Sequence, residues 1–157
     1  MSDCCRVGEA TVEAPDRCPV CGELGRKVER ITLKALLWPE ALARLSAPEH
    51  RFCVSASCRV VYFGLGEFFR REDVLVPVFQ KEPAGERTVC YCFAVREDDI
   101  RREIEATSRS TAVERITALV KPDRCACEVR NPQGTCCLGN VTGAVRAALA
   151  EPAATTT

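Results

Sequence analysis

Along the first half of the chain the apolar positions come in short runs. Thr32-Leu-Lys-Ala-Leu-Leu-Trp38 predicts a short helix with Thr32 as its cap. Pro39 suits a first helical turn, and Leu42 and Leu45 extend the helical packing beyond it. Val60-Val-Tyr-Phe63 is β-branched and aromatic and predicts a strand; Val74-Leu-Val-Pro-Val-Phe79 predicts another, which Pro77 confines to a sheet edge. After Ala84-Gly85 the period lengthens to that of helices. Glu97–Ala106 predicts an amphipathic helix with acids in its first turn, where the helix dipole favours them. Ser110 opens a second helix to Val120, with Val113, Ile116, Leu119 and Val120 as its apolar positions, and Pro122 ends it. Asn140 is placed to cap a third helix through Leu149.

This pattern is α+β. It divides into a polar arm at 1–16, a unit at 17–82 with a short antiparallel sheet, a helical unit at 83–150 and a disordered tail at 151–157. Lys plus Arg equals Asp plus Glu at 22 each, so the chain lacks the basic footprint of a nucleic-acid or anionic-membrane binder. The N-terminus has neither a basic segment nor an apolar one, and no stretch approaches the roughly 18 apolar residues of a membrane span. The expected location is cytoplasmic. There is no Gly-rich phosphate loop, and the single histidine, His50, has no evident nucleophile partner, so hydrolysis and group transfer find no support.

Twelve cysteines in 157 residues change the picture. A cytosolic chain keeps its thiols reduced, so clustered cysteines there point to metal rather than to disulfides. Cys18-Pro-Val-Cys21-Gly22 and Cys53-x4-Cys58 are two knuckle-like turns with 31 residues between them. Together they supply the four thiolates of a closed tetrahedral site, the usual structural zinc geometry, although a rubredoxin-type iron uses the same ligands. His50 lies three residues before Cys53 and is read as a surface or packing residue rather than a ligand, because four cysteines already complete the shell.

Cys90-Tyr91-Cys92 is too tight for a usual zinc knuckle, but in a loop it suits one iron of a [2Fe–2S] cluster; a second tetrahedral zinc is the alternative reading of this region. Two further thiolates come from Cys125, Cys127, Cys136 and Cys137, among which spacing does not choose. A predicted helix begins just after Cys92 and another just after Cys136-Cys137, so two helix N-termini stand ready for the negative charge of an all-thiolate cluster. Cys4-Cys5 in the arm is a candidate labile site for soft ions such as Cu(I) or Hg(II).

Four stretches carry a resemblance: Cys18-Pro-x-Cys-Gly22, Phe52-Cys53 with Cys58-x-Val-Val-Tyr-Phe63, Val89-Cys-Tyr-Cys-Phe93, and Cys127-Glu-x-x-Asn-Pro-x-Gly-x-Cys-Cys-Leu-Gly-Asn-Val141. They resemble the N-terminal domain of CopZ-type copper chaperones over about residues 17–146, and the region after Cys90 is also similar to the [2Fe–2S] domain of bacterioferritin-associated ferredoxin. The resemblance implies zinc on Cys18, Cys21, Cys53 and Cys58, and a [2Fe–2S] cluster on Cys90, Cys92, Cys127 and Cys137, with Cys125 and Cys136 as alternates. It implies one-electron transfer in copper or other heavy-metal handling, including reduction of Cu(II) to Cu(I) before delivery. The implied partners are a soft metal ion and a heavy-metal-domain protein or metal-transporting ATPase. The fused chaperones carry a further Met-x-Cys-x-x-Cys domain, and no such motif occurs in these residues, so the redox module is the part implied. The rival expectation is a non-redox soft-metal carrier or docking module that uses Cys4-Cys5.

Overall fold

The structure is a computed structural model and describes residues 13–152. Four antiparallel strands form its main sheet in sequential order: β1 (Arg26–Val28), β2 (His50–Phe52), β3 (Val60–Gly64) and β4 (Glu67–Arg70). The central β3 is buried at every position, which is why its sequence is an unbroken apolar run rather than an alternating one. Between β1 and β2 lie helices α1 (Arg30–Leu36) and α2 (Pro39–Leu42), the second opening on its proline as expected. Leu33, Leu36, Leu37, Phe52, Val61, Tyr62 and Phe69 make the first core.

Residues beyond 84 build a second core. A short hairpin, β5 (Thr88–Cys90) and β6 (Val95–Arg96), leads into α3 (Glu97–Thr107) and α4 (Ala112–Val120). A single turn, α5 (Cys127–Arg130), and the longer α6 (Leu138–Ala150) follow. Val89, Ile100, Ile116 and Val141 are the fully buried residues at its centre. Of the predicted face of α4, Val113, Ile116 and Val120 pack into this core, whereas Leu119 is not part of it.

The two cores are stitched together. Helix α1 packs on α5, and the Tyr62 hydroxyl donates to the Pro132 carbonyl at 2.7 Å although 70 residues separate them. Gly134 takes a left-handed φ of +71° in the same loop, and it sits so close to the first core that a Cβ there would lie 2.9 Å from Val28 Cγ2. Only glycine fits both demands.

Three expectations need correcting. Thr32 does not cap α1, which starts two residues earlier after Glu29; Thr32 is inside the helix, fully buried, with an unpartnered hydroxyl. Residues 74–79 form no ladder strand. Val74 makes one bridge with Leu37, Pro77 then removes a donor, and a 3-10 turn follows at Phe79–Lys81. Asn140 is not a cap either. Cys137 occupies that position of α6, and the Asn140 amide donates to the Gln133 side chain at 3.3 Å.

Candidate metal centre

The first knuckle closes on itself by backbone bonds. The Cys18 N–H donates to the Glu23 carbonyl and the Gly22 N–H to the Cys18 carbonyl, each at 2.9 Å. Gly22 supplies the left-handed φ of +76° that the reversal needs. The second knuckle joins neighbouring strands: Cys53 follows β2, Cys58 precedes β3, and the Cys53 N–H donates to Val61 O at 2.8 Å. The sheet thus sets the spacing of the second pair, and the first pair folds over it.

All four sulfurs lie within 4.8 Å of one another, with Cys18 and Cys58 3.9 Å apart and Cys21 and Cys53 3.6 Å apart. A tetrahedron with Zn–S bonds of about 2.3 Å has edges of about 3.8 Å, so the donor set fits zinc without rearrangement. Cys18, Cys53 and Cys58 are buried, and Cys21 faces solvent. Burial pushes the Cys53 thiol up to about 12, against the pull of the Ser55 N–H and of Lys81. Cys58 is raised for the same reason. At Cys21 the smaller desolvation is outweighed by the Glu23 N–H and by the other three thiols, which bring it down to about 7. Zinc binds the thiolate form, so metal uptake at this quartet releases protons.

His50 stands apart from this set. It is buried, its Nε2 meets Glu67 Oε1 at 2.7 Å, and its Nδ1 has no partner. Of the two places the sequence left open, surface or interior, it takes the interior.

The second group of cysteines gathers around the start of α6. Cys90 ends β5, Cys92 lies in the hairpin turn, Cys127 begins α5 and Cys137 precedes α6. The Cys92 and Cys127 sulfurs are 3.7 Å apart, and the Ala126 N–H donates to Cys92 Sγ at 3.2 Å. The nearby Cys137 thiol brings Cys90 down to about 6, and Cys90 in turn pushes Cys137 up. Burial raises Cys127 to about 12, although the Cys137 N–H donates to it. These four sulfurs do not form one compact quartet; among the described residues only the first set does. Cys92 and Cys127 are the close pair among them.

Cys125 is half-buried and Cys136 exposed, and neither sulfur has a hydrogen-bonded thiol neighbour. Cys4 and Cys5 lie outside the described residues. One expected helix start does not serve the cysteines: α3 begins five residues after Cys92, and its N-terminus is occupied by its own acids. Asp99 caps the Arg96 N–H at 2.9 Å, and Glu97 accepts from the Gly85 N–H at 2.7 Å. The short α5, which carries Cys127, takes its place and was not predicted from the sequence. Its signal was weak, since four residues show no period.

The family model zf_CopZ, described as a zinc binding domain, matches residues 15–75, which contain the first quartet. The copper chaperone CopZ of Archaeoglobus fulgidus is 36% identical over 121 residues, covering 77% of this chain and 57% of its own length. The chain therefore spans little more than half of that relative. The X-ray structure of the Archaeoglobus fulgidus CopZ N-terminal domain superimposes with a TM-score of 0.69 at 31% identity, covering 81% of this chain and 95% of that domain. No described helix is long and apolar enough to cross a membrane. With nearly the whole of that domain matched in sequence and in shape, the chain belongs to the CopZ N-terminal domain family, a zinc-binding and metal-handling family.

Proposed function

We propose that the chain is a cytoplasmic redox module of copper handling, with zinc on Cys18, Cys21, Cys53 and Cys58 and a [2Fe–2S] cluster on Cys90, Cys92, Cys127 and Cys137. The observation that carries the second site is the gathering of its four cysteines in the second core, with the Cys92 and Cys127 sulfurs 3.7 Å apart. A binuclear cluster divides four thiolates between two irons, so it needs two close pairs rather than one tetrahedron. The first quartet is a closed shell and suits a structural metal.

A [2Fe–2S] cluster held there supplies reversible one-electron transfer, with a potential set by hydrogen bonds to sulfur and by exposure. The chain's contribution is to orient and insulate. Cys90, Cys127 and Cys137 are buried, and Cys92 is the ligand nearest solvent. The N–H groups of Ala126, Phe93 and Cys137 point at sulfurs and favour their anionic form. In copper handling, Cu(II) takes up one electron and becomes Cu(I), the form that soft thiolates retain. The recipient in this reading is a separate heavy-metal-domain protein or a metal-transporting ATPase.

The test is a visible spectrum of anaerobically purified protein, with iron, sulfide and zinc measured on the same sample. Charge-transfer bands bleached by dithionite, with two irons, two sulfides and one zinc per chain, are expected. A colourless protein with two zincs and no sulfide after attempted reconstitution refutes the redox reading.

A further inference from the structure

Lys81 is a buried cation, only 5% exposed, on a short turn that precedes the second core. Its Nζ donates to the Ser55 carbonyl at 2.5 Å, and no carboxylate pairs with it among the described residues. A buried ammonium needs a compensating charge. Ser55 lies two residues after Cys53 and three before Cys58, so the ammonium is held against the second knuckle. Four thiolates around one divalent ion leave a net negative site, so Lys81 stands where that charge develops. Through the Ser55 carbonyl it grips the second knuckle from outside.

The two residues before Lys81 reach the other way. The Gln80 amide donates to the Gln133 side chain, and Gln133 in turn donates to the Cys136 carbonyl at 3.3 Å. The Phe79 N–H donates to the Tyr91 hydroxyl at 3.0 Å, and that hydroxyl donates to the Pro77 carbonyl at 2.5 Å. Tyr91 is the residue between Cys90 and Cys92. Of three successive residues, one thus touches the second knuckle, one the Cys90–Cys92 loop, and one reaches the Cys136-Cys137 turn through Gln133.

We propose that the turn Phe79–Lys81 couples the two thiol sites: Lys81 is the outer-sphere counter-charge of the four-cysteine metal, and Gln80 and Phe79 carry the position of the turn to the second cysteine set. The proposal rests on the reading above that Cys18, Cys21, Cys53 and Cys58 hold zinc. It assigns Lys81 a positioning role, and it makes order at the second site depend on metal at the first.

The test uses the full chain. Zinc affinity is measured by competition with a chromophoric chelator in wild type, Lys81→Met and Lys81→Arg. Loss of an outer-shell partner lowers metal affinity by about 10- to 100-fold. Lys81→Met is expected to fall in that range, while Lys81→Arg, which keeps the charge, recovers most of the loss. Wild-type affinity in a folded Lys81→Met overturns the counter-charge. The coupling is read separately, without any substitution at Lys81, by amide hydrogen exchange over residues 88–96 and 131–137 before and after zinc removal. Faster exchange in both segments is expected in wild type, and in Gln80→Ala the response at 131–137 is lost while zinc affinity is kept. Unchanged exchange in wild type overturns the coupling. Neither readout needs iron, so a protein that takes up zinc but no cluster defeats the redox reading alone.

Discussion

Replacing Gly134 by alanine probes the seam between the two cores. The new Cβ meets two obstacles, lying 2.9 Å from Val28 Cγ2 and 3.0 Å from Thr32 Oγ1. Neither neighbour can retreat far, because Val28 is in the first core and Thr32 is fully buried inside α1. The φ of +71° adds a second cost. A left-handed alanine costs roughly 1–2 kcal/mol, and forcing a methyl group into a packed core costs roughly 1–3 kcal/mol, so the variant is expected to lose about 2–5 kcal/mol. For a chain of this size the midpoint of thermal unfolding then falls by roughly 10 °C. The assay is circular dichroism with zinc buffered at one free concentration, since a bound metal shifts apparent stability by mass action. Gly143→Ala is the matched control. Gly143 is helical, and nothing lies within 4 Å of an added Cβ, so that variant is expected to gain up to about 1 kcal/mol. A Gly134→Ala protein within about 0.5 kcal/mol of wild type would show that the 131–135 loop is not seated on β1 and α1, and the reasoning fails.

Two further outcomes are expected. His50→Gln lowers stability by about 1.5–3 kcal/mol through the loss of its buried bond to the Glu67 carboxylate, yet keeps one zinc per chain, because His50 is not a ligand; a folded variant that loses zinc would make it one. At Glu97, burial pushes the carboxyl up, but the Arg87 guanidinium and the N–H groups of Gly85 and Arg87 outweigh it and hold it below the usual 4.5. Because the folded value is the lower one, Glu97 contributes stability above pH 4.5 and loses it as pH falls through the folded value. The stability difference between wild type and Glu97→Gln is therefore expected to shrink in acid, and a difference that stays constant from neutral pH downward refutes the assignment.

The parts of the molecule that were readable in the sequence are those governed by local chemistry. The four-cysteine quartet follows from two knuckle spacings and one glycine, and β3, α3 and α4 follow from composition and period. Elements of three or four residues, such as β1, β4 and α5, are too short to show a period, and pairing or packing with distant segments creates them. The role of Lys81 was equally hidden. It reads as the polar end of an apolar run, and only the fold shows that Ser55 waits for it. Asn140 misled because it has the right chemistry for a cap, but Gln133, held by Gln80, claims its amide.

The Tyr62 bond to Pro132 has a consequence for how the chain is made. The ribosome delivers β3, and with it a phenol destined for complete burial, long before it delivers the carbonyl that accepts its proton. From residue 81 to residue 132, synthesis at ~5–20 residues per second takes roughly 3–10 s. During that interval the first sheet can close and take up metal, but one face of α1 and the Tyr62 hydroxyl still lack their cover. The nascent protein therefore passes through a state that is chemically complete at its first metal centre and structurally unfinished, and arrival of the 127–134 segment is the event that locks it.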